Sequence, residues 1–389
     1  MNSKTVLVFL NYYLPGTKFG GPIQSVSNIV DWLGEEFEFK VVTLDRDFLS
    51  DEPYKNIDIN EWNRVGNAQV YYVSPDNLSF MTFKRLLEST NYDLLYLNSL
   101  FNPYFTLLPL FLTKLLSGKK TEKLLLAPRG ELAKGAIEQK KVKKKIFLKI
   151  AKWIGLFKNI NWHATNTIEK GDIFRELKEN KKEVLISSNL LPQNSRVVKG
   201  ESNKKEGNLR LVYLSRITPK KNISYIFDVL EPLNNIKVEL DLFGTIDDQQ
   251  YWKHCKKKIE QLPSNVKVKH FGHLDHSVVL DTVSQYDLFV LPTKGENFGH
   301  AIVEAISVGT PVLISTNTPW RNLEDKKVGW DYDLENPVKF RDKIRELANL
   351  NAGEMNKIKQ KTQENYQQLV KMNSVTETKK MFKKVLDAH

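Results

Sequence analysis

The chain has 389 residues, a length that favours two or three domains, each large enough for its own core. With 41% hydrophobic and 27% charged residues it has the composition of an ordinary soluble globular protein, which excludes a fibrous or low-complexity chain. Its one cysteine, Cys255, excludes an internal disulfide framework and fits a reducing, cytoplasmic compartment. The net charge is +12 and unevenly placed: residues 114–158 hold 14 Lys and Arg against 3 Glu. Charge so concentrated points to an anionic partner, whether phosphate, nucleic acid or a lipid surface.

The chain opens with a strand, Val6–Leu10, and the polar, glycine-rich residues that follow it do not read as a secretory signal. A loop with Gly16, Gly20, Gly21 and Pro22 follows. Ile23, Val26, Val30 and Leu33 then mark one face of a helix, with Pro22 placed for its first turn. Further strands are predicted at 39–44, 70–73, 94–97, 124–127 and 184–187. This is a β-α-β rhythm, and it implies a mostly parallel sheet with helices on both faces. Leu94 to Leu116 approaches membrane-span length, but its Asn, Ser, Pro and Lys residues make it read as a buried strand, a loop and an apolar helix.

From Gln139 to Lys158 the spacing predicts a basic amphipathic helix. Val142, Ile146, Ile150, Trp153 and Phe157 form one face, and lysines crowd the rest. Two readings stand: the stripe packs on its own sheet, or the helix docks on an anionic bilayer.

Residues 199–208 hold no apolar side chain and read as a linker. The alternation then restarts with strands at 209–214, 238–243, 266–271, 288–291 and 312–315. The implied organisation is a first doubly wound domain over 1–198, a second over 199–365, and C-terminal helices over 366–389 that return to the first domain. Ser374-Val375-Thr376-Glu377 has the form of a capping box ahead of the stripe Met381, Phe382, Val385, Leu386.

The densest chemistry lies in Gly295-Glu296-Asn297-Phe298-Gly299-His300-Ala301-Ile302-Val303-Glu304, a loop entering a helix after an apolar strand. Carboxylates at Glu296 and Glu304 would flank the free N–H groups of a helix start, which suits a ligand with phosphate in the middle and hydroxyls at its ends. Ser215-Arg216-Ile217-Thr218-Pro219-Lys220-Lys221-Asn222 leaves a strand in the same way, so that Arg216 and Lys221 would converge on a pyrophosphate. Gly20-Gly21-Pro22 is neither a Rossmann fingerprint nor a Walker loop, and gains weight only as a phosphate clamp opposite that basic loop. Ala127-Pro128-Arg129-Gly130-Glu131-Leu132 ends a strand of the first domain, where Arg129 suits a donor phosphate or an acidic acceptor and Glu131 an acceptor hydroxyl.

Taken together, Glu-x7-Glu with its internal Phe-Gly, the Arg-x4-Lys loop and the N-terminal Gly-Gly turn resemble the family 4 (group 1) glycosyltransferases used in bacterial capsule, O-antigen and lipopolysaccharide assembly. The resemblance covers essentially the whole chain and is strongest from Leu209 to Ser315. It implies the GT-B fold, two Rossmann-like domains facing across a cleft. It also implies a retaining enzyme that uses a nucleotide-diphosphate sugar as co-substrate and needs no metal. On that resemblance Glu296 contacts the donor sugar, Glu304 holds the ribose, and Asn297, Phe298, Gly299 and His300 surround the diphosphate. Arg216 and Lys221 neutralise the leaving group, while Gly20 and Gly21 approach it from the first domain. Gly244, Phe271, Gly272 and Leu274 match positions that hold the base. Arg129 completes the candidate catalytic set; many members carry a histidine near its position. The implied acceptor is a glycan, one attached to lipid in the reading that also uses the basic helix.

The rival readings are an epimerase on the same architecture and a nucleic-acid-binding protein. The Arg-x4-Lys loop argues against the first. Aromatics that lie on or beside the helical stripe, with no open stacking platform, argue against the second. The triplets Asp45-Arg46-Asp47 and Asp331-Tyr332-Asp333, and the histidines 270, 273 and 276, have too little around them for a metal site.

Overall fold

The computed structural model describes residues 3–115, 123–138, 141–158, 160–177, 183–193, 201–371 and 375–387. The chain divides into two compact units, one of residues 1–193 with 373–389 and one of residues 194–372.

The first unit is built on eight strands: β1 (Lys4–Phe9), β2 (Phe37–Leu44), β3 (Trp62–Val65), β4 (Ala68–Val73), β5 (Leu94–Asn98), β6 (Leu124–Ala127), β7 (Asn161–Ala164) and β8 (Val184–Ile186). Their order across the sheet is β3-β4-β2-β1-β5-β6-β7-β8. All described pairs are parallel except the antiparallel edge pair β3–β4. Successive residues of a strand point to opposite faces, and here both faces are apolar. Leu7, Phe9, Leu95, Leu97, Leu124 and Leu126 enter one core. Val6, Val8, Leu94, Tyr96, Leu125 and Ala127 enter the other. The Leu94–Leu116 region is strand β5, a wide helical turn Pro103–Leu107 and the helix Leu108–Leu115. No helix among the described residues is long and apolar enough to cross a membrane.

The C-terminal helix Val375–Asp387 belongs to this first unit. Phe382 is fully buried, with its ring 5.6 Å from Phe37, 6.3 Å from Phe39 and 5.6 Å from Tyr96. Thr378 and Ser187 share a buried hydroxyl hydrogen bond of 2.7 Å. The expected cap residue Ser374 lies outside the described residues.

The second unit holds β9 (Asn208–Leu214), β10 (Lys237–Phe243), β11 (Val266–Gly272), β12 (Leu288–Leu291), β13 (Val312–Ser315) and β14 (Gly329–Tyr332), in the order β11-β10-β9-β12-β13-β14, with every described pair parallel. Numbered from its own first strand this is 3-2-1-4-5-6, the doubly wound order, and its direction reverses between β9 and β12. Leu211 of β9 pairs with Leu240 on one side and Leu288 on the other, at the sheet centre.

Two expectations change. The polar stretch 199–208 is not a free linker: its first two residues lie outside the described chain, and the rest is docked on the second unit. The Ser202 hydroxyl donates to Asp287 at 2.5 Å, its N–H donates to Asn356 at 2.7 Å, and the Lys204 ammonium donates to the Ala348 and Leu350 carbonyls. Ser202 is buried and Lys204 half-buried by these bonds, while Glu201, Asn203, Lys205 and Glu206 stay exposed, so the polar run is a tethered surface stretch. Likewise the expected C-terminal segment 366–389 is split. Residues to 371 complete the helix Ala352–Lys371 of the second unit, where Tyr366 is buried, and residues from 375 form the helix on the first.

Candidate active site

In a doubly wound sheet the loops at the carboxyl ends of the two strands flanking the reversal line a crevice. In the second unit those loops follow β9 and β12, and they are stitched together by their own backbone. The Lys294 N–H donates to the Lys220 carbonyl at 2.8 Å, and the Thr293 hydroxyl donates to the same carbonyl at 3.2 Å. Asn222, in the left-handed region at φ 60°, donates its side-chain amide to the Pro292 carbonyl at 3.1 Å. On this frame the Lys221 ammonium forms an ion pair with Glu296, both side chains being only 15% exposed.

Burial favours the neutral form of Glu296, but Lys221, Lys220 and His300 outweigh it and hold the carboxyl below its usual range. Lys220 is pulled below the ordinary lysine range by burial, reinforced by Lys221 and Arg216 and opposed by Glu296. Lys220, which the sequence reading passed over, is therefore part of the cationic cluster. Its doublet with Lys221 was the available signal.

Arg216, expected to converge with Lys221 on a pyrophosphate, holds a different carboxylate in the structure. It is 60% exposed and pairs with Asp247 at 2.8 Å. A neighbouring carboxylate on the loop after β10 captures it, a contact that spacing along one loop does not reveal. Gly244 shows why that loop runs so close: it sits at φ 141°, and a Cβ there would lie 2.0 Å from the Ser215 carbonyl oxygen. The Gly244 N–H donates to the Gly272 carbonyl at 2.7 Å, and its own carbonyl meets His270 Nε2 at 2.9 Å. Phe271 is exposed and stacks on Phe243, ring centroids 5.1 Å apart; Gly272 (φ 77°) and half-buried Leu274 follow. These residues share the carboxyl edge of β10 and β11.

Gly299 caps the helix His300–Ser307 in the left-handed conformation, φ 86°. Its neighbour Phe298 is buried between the rings of His300 (4.7 Å) and Trp320 (5.4 Å), and the Trp320 indole N–H donates to its carbonyl. Glu296 is anchored by its own N–H, which donates to the Asn317 carbonyl at 3.0 Å; Asn297, half-buried, follows it. Glu304 lies one turn into the helix, half-buried and electrostatically coupled to Tyr366. Of the four residues expected in one pocket, Lys221 and Glu296 touch, and Arg216 pairs with Asp247.

In the first unit Gly20 (φ 71°) precedes the helix Gly21–Leu33, which carries Pro22 in its first turn. Asp47 secures this loop by accepting the Thr17 and Lys18 N–H groups, so Asp45-Arg46-Asp47 is a structural element. Asp331 is similarly occupied by Arg321 and the Leu323 N–H. No group of three or more His, Cys, Asp or Glu that could hold a metal occurs among the described residues. Arg129 binds Asn98, Asn189 and Tyr96 through its guanidinium. Glu131 accepts from the Leu100 and Phe101 N–H groups and the Ser99 hydroxyl, which pins the loop after β5.

Residues 194–365 match the family model described as glycosyl transferases group 1. Sucrose-phosphate synthase from Thermosynechococcus elongatus superposes on the chain with a TM-score of 0.69, covering 100% of both chains at 14% identity. Anabaena Alr3699/HepE, in complex with UDP and glucose, gives a TM-score of 0.65 over 99% of this chain and 100% of its own, also at 14% identity. The fold is GT-B. An uncharacterized glycosyltransferase of Sulfolobus islandicus rod-shaped virus 1 is 25% identical over 126 residues, 31% of this chain. The aligned part is 34% of that relative, so the chain spans about a third of its length. On the GT-B frame the group 1 match coincides with the second unit and includes the loops of Lys221 and Glu296.

Proposed function

We propose that the chain is a retaining glycosyltransferase that moves a hexose-type sugar from a nucleotide diphosphate to a glycan acceptor. The observation that carries this reading is the Lys221–Glu296 pair, with Lys220 beside it, held at the strand reversal of a unit that matches the group 1 model. Loss of a nucleoside diphosphate leaves an oxocarbenium-like sugar and a strongly negative leaving group. Preorganised cations in a partly water-excluded site lower that barrier most directly. Lys220 and Lys221 would supply that charge, with Arg216 released from Asp247 as an outer contact, so no metal is required in this scheme. Glu296 would exchange Lys221 for the sugar hydroxyls as the diphosphate takes over the lysine. Glu304 would hold the ribose; the N-terminal turn from Phe298 to His300 would face the phosphates. Gly244, Phe271, Gly272 and Leu274 would hold the base. HepE holds UDP and glucose, so a uridine nucleotide is the first donor to test.

The acceptor side has separate support. The helix Lys141–Trp153 buries Leu148 and Ala151, but leaves Val142, Ile146, Ile150 and Trp153 in solvent, Trp153 at 86% exposure. Only Phe157, just past its end, is buried among the stripe residues foreseen. Exposed Lys143, Lys145 and Lys149 flank this apolar face. A cationic helix with an uncovered apolar stripe fits an anionic bilayer, and a lipid-linked acceptor would bring the enzyme there.

The test is turnover and binding of UDP-, GDP- and ADP-sugars by the wild type and Glu296→Ala, with and without EDTA, and with the anomeric configuration of any product read by NMR. Turnover that survives EDTA and collapses in Glu296→Ala is the expected result. Absence of binding or turnover for every donor refutes the reading.

A further inference from the structure

Phe298 and Gly299 share a peptide whose direction the local sequence does not decide. Glycine takes positive and negative φ about equally readily, so the peptide that precedes it can turn over at little cost. Gly299 sits at φ 86° ahead of the helix His300–Ser307, whose Ile302 and Val303 N–H groups donate to the Gly299 carbonyl. The Phe298 carbonyl stands outside that ladder. Among the described residues its partner is the Trp320 indole N–H, 22 positions along the chain. The peptide is trans, so its N–H points opposite to its carbonyl. Trp320 therefore aims the Gly299 N–H, which donates to no group among the described residues. A Cβ on Gly299 would lie 3.1 Å from Glu296 Cγ, so this turn lies against the Lys221–Glu296 pair.

Trp320 is itself held in place. Its backbone N–H donates to the Thr318 hydroxyl at 3.2 Å, that hydroxyl donates to the Trp320 carbonyl at 3.2 Å, and Thr318 is buried. The indole meets the Phe298 ring edge-on, centroids 5.4 Å apart. The same loop, which follows β13, secures the other end of the segment, where the Asn317 carbonyl accepts from the Glu296 N–H at 3.0 Å. The root of the loop is tied down as well: the Ser315 hydroxyl donates to the Thr293 carbonyl at 2.5 Å and Arg321 Nη1 to the Thr316 carbonyl at 2.6 Å. Glu296-Asn297-Phe298 is thus clamped at both ends by a loop that carries neither glutamate of the Glu-x7-Glu pattern. An indole has a single N–H to give, and here it goes to a main-chain carbonyl inside the candidate site.

We propose that Trp320 is a positioning residue of the candidate active site: by holding the Phe298 carbonyl it points the Gly299 N–H at the diphosphate of the donor. This rests on the donor reading above, in which the turn from Phe298 to His300 faces the phosphates, and it adds a residue that acts through the backbone. The experiment measures, on the full chain, the affinities of UDP, GDP and ADP by calorimetry and those of uridine, guanosine and adenosine by displacement. Two variants are compared with the wild type. Trp320→Phe keeps an aromatic ring beside Phe298 and removes the donor. Benzothienylalanine installed at position 320 keeps the outline of the indole and replaces only its N–H by sulfur, so it reports even if Trp320→Phe fails to fold. Both variants should lose about tenfold in affinity for the nucleoside diphosphate that the wild type binds best, and should bind its nucleoside as the wild type does. A role confined to packing would spare the sulfur isostere, whose shape is unchanged. Unchanged diphosphate affinity in the isostere variant, or an equal loss for nucleoside and diphosphate, overturns the positioning role and leaves the donor reading standing. A wild type that binds none of the three diphosphates refutes the donor reading and the positioning role together.

Discussion

Lys221 and Glu296 stand 75 positions apart and close an ion pair across two loops already joined by main-chain hydrogen bonds. Glu296 titrates below the usual carboxylate value of 4.5 because cations outweigh its burial. A depressed folded-state value means that the pair stabilises the protein above pH 4.5, and that this contribution is lost as pH falls through the lower folded value. Lys221→Met leaves a largely buried carboxylate without its main partner. Removing one member of a buried pair costs 3–5 kcal/mol, and the residual exposure here reduces that to about 2–3 kcal/mol at pH 7. Urea unfolding checks it: the gap between variant and wild type should be widest near neutrality and should shrink toward pH 4, where protonation relieves the stranded charge.

Gly244 and Gly272 allow a paired test of why glycine is required. Both have positive φ, but a Cβ at 244 meets the Ser215 carbonyl at 2.0 Å whereas one at 272 meets nothing within 4 Å. Gly272→Ala should cost only the left-handed penalty, about 1–2 kcal/mol. Gly244→Ala must also force two backbone segments apart and should lower the melting temperature well beyond that. Equal melting temperatures for the two variants would show that the close approach is not rigid.

The parts of this structure that were legible are those where composition and burial agree. Leu94–Leu97 and Leu288–Leu291 are short apolar runs, and they are central parallel strands buried on both faces. The strands Asn161–Ala164 (NWHA) and Gly329–Tyr332 (GWDY) do not announce themselves, because their polar residues find partners only in the folded state. Asn161 donates to the Leu124 carbonyl and His163 meets Tyr96 and Ser187. The site follows the same rule. Glu296 and Lys221 were visible as residue types at strand ends, but the capture of Arg216 by Asp247 depends on where the loop after β10 lies. Short-range pattern carries elements and candidate chemistry; partner choice is a tertiary matter.

The helix Lys141–Trp153 leads to a prediction about surfaces. Each lysine near an anionic bilayer contributes about 1 kcal/mol, so a triple Lys143→Glu, Lys145→Glu, Lys149→Glu variant should lose binding to phosphatidylglycerol-rich vesicles by several orders of magnitude. Trp153→Ser should weaken binding to the same vesicles without changing its salt dependence, since it removes only apolar area. Cosedimentation at several salt concentrations separates the two effects. Equal binding of the wild type to neutral and anionic vesicles would remove the electrostatic part of the argument.

His163 ties the C-terminal helix to the Arg129 site, and its titration reports on both. Its Nδ1 lies 2.7 Å from the Tyr96 hydroxyl and its Nε2 lies 2.8 Å from the Ser187 carbonyl. The carbonyl only accepts, so Nε2 carries the proton and Nδ1 accepts from Tyr96, whose oxygen in turn accepts from Arg129. Ser187 continues the chain to Thr378 on the C-terminal helix. Burial, with the Arg129 charge added to it, pushes the imidazole down from 6.5 to about 3. The unfolded chain therefore binds a proton that the folded chain refuses between those values. Stability should be fully present above pH 6.5 and should fall by about 1.4 kcal/mol per pH unit from this one group as the solution is acidified. His163→Gln keeps a polar side chain in place and removes the titration, so the acid limb of its stability curve should be shallower by that slope between pH 6 and 4. A slope identical to wild type would mean that the imidazole is already charged in the folded protein. In that case the Tyr96 hydroxyl, no longer able to donate to Nδ1, would accept from His163 and Arg129 alike, and the link from the C-terminal helix to the guanidinium would run through repulsion instead of hydrogen bonds.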